Sequence, residues 1–134
     1  MKTLRATALF ALLLAAATAS AQPPDLTGKW SGRWESAKNA HTGPLHARFT
    51  KLSDEQYRVR FRGRFAVVIP FCYSMKMNVV GVECDRLVLG GSHRLGPVFG
   101  TFNYSGTATH THFDATFSAT SDIGKFVMTR AGVR

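Results

Sequence analysis

The sequence predicts an all-β domain of eight short antiparallel strands, closed into an up-and-down barrel or, in the alternative packing, paired as a β-sandwich. Three observations predict it. From Tyr57 to Phe65 every even position is arginine and every odd one is aromatic, aliphatic or glycine. That strict period of two marks a half-buried strand, because successive side chains leave opposite faces of the pleat. Comparable alternations recur along the chain, separated by turn-forming residues at near-regular spacing. No helical periodicity and no long crossover segment follows residue 21, so consecutive strands are expected to be antiparallel neighbours.

The first 21 residues stand apart. Lys2 and Arg5 give a short basic region, Ala8 to Ala17 an apolar run, and Ala19-Ser20-Ala21 a small-residue cleavage signal. This is the pattern of a secretory signal peptide, too short and wrongly flanked for a membrane anchor. An exported protein, periplasmic or extracellular, is the expectation, with residues 22–134 as a single domain. Those 113 residues suffice for one core. They carry 15 basic and 8 acidic side chains, a net +7 that favours anionic partners and says nothing about fold.

The strands follow in order. Leu26 to Trp34 is the first, with Leu26, Gly28, Trp30, Gly32 and Trp34 on one face. Its two tryptophans anchor a core, and its glycines imply a bend or close backbone packing. A polar loop from Lys38 to Gly43 leads to the second strand, Pro44 to Leu52, with Leu45, Ala47 and Phe49 inward. The link Ser53 to Gln56 sets register. Only a loop with an odd number of residues keeps the charged faces together, pairing Phe49 with Val59 and Arg48 with Arg60, so a three-residue loop with a bulge is expected. His46, Arg48, Arg58, Arg60, Arg62 and Arg64 then share one outer surface. Like charges facing each other destabilise a sheet, and no acidic residue on either strand offsets them.

Beyond Phe65 the chain stays apolar to Pro70, which is expected to break the ladder. Tyr73, Met75, Met77 and Val79 alternate inward, Glu83-Cys84-Asp85 turns the chain, and Leu87 and Leu89 face in. Gly90 to Pro97 reads as the longest irregular loop. Gly100, Phe102 and Tyr104 point inward on the strand from Val98 to Ser105. Phe113, Ala115 and Phe117 do so on the next, and Phe126, Met128 and Arg130 on the last.

Residues 26–30, Leu-Thr-Gly-Lys-Trp, resemble the first-strand motif of the calycins, the lipocalin and avidin-like barrels, in which Gly-x-Trp opens strand one. Those families carry a last-strand arginine that packs across the tryptophan, and Arg130 falls at that place. The resemblance implies an eight-stranded barrel and a cavity, with no ligand identity. The asparagine that contacts biotin in avidin, two residues past the tryptophan, is Gly32 here, and the lipocalins' central Thr-Asp-Tyr is absent. Independently of family, an inward arginine needs an aromatic face or carbonyl groups, since an isolated buried cation costs several kcal/mol. Trp30 or Trp34 would supply a cation–π contact of roughly 0.5–2 kcal/mol.

Cys72 and Cys84 are the only cysteines. Export permits a disulfide, but a single extended strand between them would hold them roughly 30–40 Å apart, and a bridge needs Cα atoms within ~7 Å. Only a tight turn near Asn78 would join them. His110-Thr111-His112 would place two imidazoles on one strand face, half of a metal site lacking its third ligand. No nucleophile elbow, carboxylate pair or glycine-rich phosphate loop appears, so neither enzyme activity nor a cofactor is expected.

Two binding roles remain. An outer basic face of Arg48, Arg58, Arg60, Arg62 and Arg64 would hold an anionic surface or polymer, such as lipid headgroups or acidic polysaccharide. Guanidinium suits phosphate and carboxylate because its planar fork bonds both bidentately. Nucleic acid ranks lower for an exported chain. Alternatively, an interior around Trp30, Trp34, Phe61, Tyr104 and Arg130 would carry a small apolar ligand, provided the aromatic rings leave room for one. A structural envelope protein using neither site is the third reading.

Overall fold

A computed structural model describes residues 22–65, 69–94, 97, 100–120 and 122–132. The signal peptide predicted at 1–21 lies outside the described residues, as do residues 66–68 of the apolar run before Pro70. Eight antiparallel strands close in sequence order: β1 (Gly28–Ser36), β2 (Thr42–Ser53), β3 (Gln56–Phe65), β4 (Ile69–Glu83), β5 (Arg86–Arg94), β6 (Thr101–Ala108), β7 (His112–Ser118) and β8 (Ile123–Arg130). β8 returns to β1 with Trp30 opposite Arg130, so the fold is the barrel and not the sandwich.

The alternation read in the sequence sets which side chains are dry. Trp30, Leu45, Phe49, Val59, Met77, Leu89, Phe113 and Met128 are buried, and the arginines of β3 are exposed. β2 and β3 pair Phe49 with Val59 and Arg48 with Arg60. The parity is reached with a bulge between Lys51 and Ser53 followed by a two-residue turn at Asp54–Glu55. Gly32 has no room for a side chain: a Cβ there would collide with the carbonyl of Val127 on β8. Close backbone packing, and not flexibility, explains that glycine.

Four expectations need correction. Leu26 lies before β1, not within it; it is fully buried and plugs one end of the barrel. Pro70 does not break the ladder but is the second residue of β4, opposite Arg64, a strand end where a missing N–H costs least. Gly90 to Arg94 is strand, paired with Ser105 to Thr101 of β6, which satisfies on one side the backbone that composition alone reads as loop. His110 and Thr111 form the β6–β7 turn and His112 begins β7, so the two imidazoles do not share a strand face.

Two features then shape the interior. The end holding the β2–β3, β4–β5 and β6–β7 turns is solid. Trp30, Phe49, Tyr57 and Phe113 pack there edge to face or tilted, with centroids 5.6–6.4 Å apart. The second feature is a seam. β4 pairs with β5 only between Val79–Glu83 and Arg86–Leu89, and among the described residues no register pair joins Ile69–Asn78 to Gly90–Arg94.

Candidate binding sites: an apolar cup and a basic outer groove

The plug is built from the first residues of the domain. Trp30 Nε1 donates to the Leu26 carbonyl at 2.8 Å, and the Leu26 N–H donates to Tyr57 Oη at 3.2 Å. Arg130 completes it. Its guanidinium carbon lies 4.7 Å from the Trp30 ring centroid, its Nε and Nη1 donate to the carbonyls of His110 and Thr27 at 2.7 Å, and its Nη2 donates to that of Asp25. Gly28 adopts φ +125°, a conformation that favours glycine, and a Cβ there would stand 3.3 Å from Arg130 Nη1. The glycine, the tryptophan and the arginine thus have a joint physical reason: together they seal the barrel base. The Asp25 carboxylate, held by the Thr27 hydroxyl and amide, lies below the usual carboxylate range.

At the opposite end the described residues surround a cavity in the interior. A cavity of about 570 Å³ is lined on its walls by Trp34, Leu45, Phe61, Met75, Phe102, Phe117 and Phe126, with Asn39, His41 and Asp122 at the rim. That volume lies within the ~300–1,000 Å³ of small-molecule sites. Phe102, Phe117 and Phe126 lie nearly parallel, with centroids 4.7–6.1 Å apart and interplanar angles of 19–23°. Phe61 extends the cluster, 5.7 Å from Phe126. Tyr73 stands in the wall, 5.7 Å from the His93 ring across the seam. Its hydroxyl is buried with no hydrogen-bond partner among the described residues. Burial pushes this phenol up from the ordinary tyrosine value.

The predicted interior residues therefore divide between two zones. Trp30 and Arg130 belong to the sealed base, while Trp34 and Phe61 line the cup. Tyr104 lies on the wall between them and bonds β4 through its hydroxyl. The aromatic rings fill one half of the barrel and line a cavity in the other half. Tyr73 faces in as its alternation with Met75 predicts, whereas sequence reasoning missed Phe71 as a cup residue. Its parity with Tyr73 and Met75 was the available signal, obscured by Pro70.

The five predicted anion-binding arginines form one exposed outer field. Lys29 of β1, Arg48 of β2 and Arg60 of β3 stand in a single cross-strand row, ending at Ser74 of β4. The neighbouring row runs Ser31, His46, Arg62 and Cys72, and Arg58 faces Lys76. A groove of about 780 Å³ follows the first two rows, its floor passing over Trp30 and Ala47. Arg58 flanks it, and Arg64 lies farther along β3, opposite Pro70. The ion pairs among the described residues lie elsewhere: Arg33 and Lys125 with Glu35, Lys51 with Asp54, and Arg86 with Asp85.

Cys72 and Cys84 are both free and exposed. β4 runs unbroken from Ile69 to Glu83 without a turn at Asn78, so it separates Cys72 near its start from Cys84 in the turn after its end. Among the described residues no three His, Cys, Asp or Glu side chains converge on a metal-sized site. Comparison of the chain with protein-family models, curated proteins and solved structures gives no match.

Proposed function

We propose that this chain is an exported, non-enzymatic binding protein of calycin-like type that carries a small apolar ligand in its cup. One observation carries the reading: a cavity of ligand size is lined by apolar walls, with its polar groups confined to the rim and the Tyr73 hydroxyl. A hydroxyl buried without a partner costs about 1–3 kcal/mol. A ligand that brings an acceptor group to Tyr73 recovers that cost, and the near-parallel phenyl rings favour a flat hydrophobic body. The Gly28, Trp30 and Arg130 arrangement supports the calycin-like assignment. The basic, apolar and small-residue sections of residues 1–21 support export to the periplasm or the exterior.

The test uses N-phenyl-1-naphthylamine, an uncharged fluorescent probe. Uptake should quench the tryptophan emission, most strongly that of Trp34, which lines the cup. The quenching should be smaller in Trp34→Phe while probe emission is still enhanced, and it should not change with salt. Absence of both quenching and probe enhancement in the parent protein rejects the carrier reading.

A second reading has its own observation. The rows of cations on β1–β4 face one another without a carboxylate among them, an arrangement that costs stability in the isolated fold. We assign this outer face to an anionic partner that supplies the missing charge.

A further inference from the structure

The shape and composition of the basic face narrow the class of anion, an inference that rests on the second reading above. We infer that the groove across β1–β3 binds a sulfated or phosphorylated polysaccharide strand, with its ester groups seated between Lys29, Arg48, Arg60 and Arg62.

Three features distinguish this from the other polyanions. First, the groove is recessed. A row of three strands spans about 10 Å and successive rows lie roughly 7 Å apart, a footprint that accepts a strand a few sugars long and offers a flat bilayer few contacts. Among the described residues the exposed large apolar side chains, Leu52, Val80, Val82 and Ile123, lie outside the groove and give it no hydrophobic anchor for a membrane. Second, among the described residues no exposed phenylalanine, tyrosine or tryptophan lines it. Trp30 passes beneath its floor but is 1% exposed. Proteins that hold single-stranded nucleic acid draw on base stacking worth about 1–3 kcal/mol per base, and this groove has no platform for it. Third, the cation density is high. Four cations stand within two adjacent rows, and a chain with several ester groups per few sugars matches them better than one with sparse charge. Guanidinium forks bond the paired oxygens of sulfate and phosphate bidentately, and Ser31 and His46 supply further hydrogen-bonding groups beside them.

The experiment measures binding of heparin, desulfated heparin, a thymidine oligonucleotide of matched charge, and phosphatidylglycerol–phosphatidylcholine vesicles at 50 mM and 200 mM salt. Two charge-matched variants are compared: Arg48→Ser/Arg60→Ser/Arg62→Ser in the groove, and Lys38→Ser/Arg86→Ser/Arg94→Ser outside it. Heparin should bind the parent tightest of the four probes. The groove variant should lose at least about 30-fold and shed roughly two to three units of log–log salt slope, while the outside variant stays within about threefold. Removing mutual repulsion should leave the groove variant folded with an unchanged or raised melting temperature. Should it fail to fold, Arg60→Lys, which keeps the charge but not the fork, still tests the site by weakening heparin severalfold.

Equal heparin affinity in the two charge variants overturns the groove as the site. Tighter binding of the oligonucleotide or of the vesicles overturns the glycan assignment and leaves the anionic face standing. No binding of any anionic probe at low salt overturns both.

Discussion

The hydroxyl of Tyr104 accepts the backbone N–H of Asn78 at 2.8 Å, reaching from β6 across Gly91 of β5 to β4. The contact falls where the β4–β5 ladder ends, so a side chain replaces a missing backbone rung. Gly91 permits it: a Cβ there would lie 2.8 Å from the Tyr104 hydroxyl. Tyr104→Phe should cost about 1–2 kcal/mol, because it leaves the Asn78 N–H without its partner. Gly91→Ala should cost a similar amount by displacing the same hydroxyl. The double variant should be little worse than either single one, since both remove one bond. Chemical denaturation of the four proteins checks this, and fully additive losses would refute the shared bond.

Arg130 closes the base of the barrel. It stacks on Trp30 and donates to three carbonyls, two of them in the N-terminal plug. Hydrogen bonds from a charged donor contribute about 1.5–3 kcal/mol, and the cation–π contact adds about 0.5–2 kcal/mol. Arg130→Met should therefore destabilise by roughly 2–4 kcal/mol. Arg130→Lys should recover less than half, because one ammonium cannot reach carbonyls on three sides. Limited proteolysis supplies an independent check, since a freed plug should be cut near Leu26 in both variants and not in the parent.

Much of this was legible in the residues, and the reasons are local. Period-two alternation decides the face of every side chain in a strand, so the Arg48–Arg60 pairing and the buried Trp30 and Phe49 followed from parity. Arg130 opposite Trp30 followed from parity at both ends of the chain. What parity cannot supply is depth along the barrel axis. Phe49 and Phe102 have the same inward alternation, yet one lies in the packed base and the other in the wall of a void. Strand ends were also obscured where composition and pairing disagree. Gly90–Gly91 reads as loop, but β6 provides a ladder and the Tyr104 side chain occupies the space that Gly91 leaves.

That difference in depth has an energetic consequence. Phe49 is 1% exposed and touches Trp30, Tyr57 and Phe113. Phe102 is partly buried and borders the cavity beside Phe117 and Phe126. Truncating a core phenylalanine costs about 3–5 kcal/mol through lost burial and a new cavity. Phe49→Ala should reach that range. Phe102→Ala enlarges a space already present and should cost about 2 kcal/mol less. Calorimetric melts of the pair decide it, and equal losses would mean that the cup is as densely packed as the base.

The three tyrosines of the chain provide a test of the whole interior at once. Tyr57 lies under the plug, Tyr73 in the cup wall and Tyr104 at the seam, and burial pushes each phenol above its ordinary value. The Leu26 N–H at Tyr57 and the Asn78 N–H at Tyr104 oppose that rise without reversing it. The sign follows from the raised value: the fold favours the neutral phenol, whereas the unfolded chain ionises near pH 10. The contribution to stability is intact below that pH and is lost as pH rises from there through the folded-state value. Absorbance at 295 nm should therefore show less phenolate in the native protein at pH 10 than in the unfolded chain. Ionisation should instead coincide with loss of the near-ultraviolet circular dichroism at higher pH. In Tyr104→Phe and Tyr73→Phe the alkaline transition should keep its shape with one phenol fewer in amplitude. As much phenolate in the intact fold as in the unfolded chain at the same pH would show that burial does not hold these rings neutral.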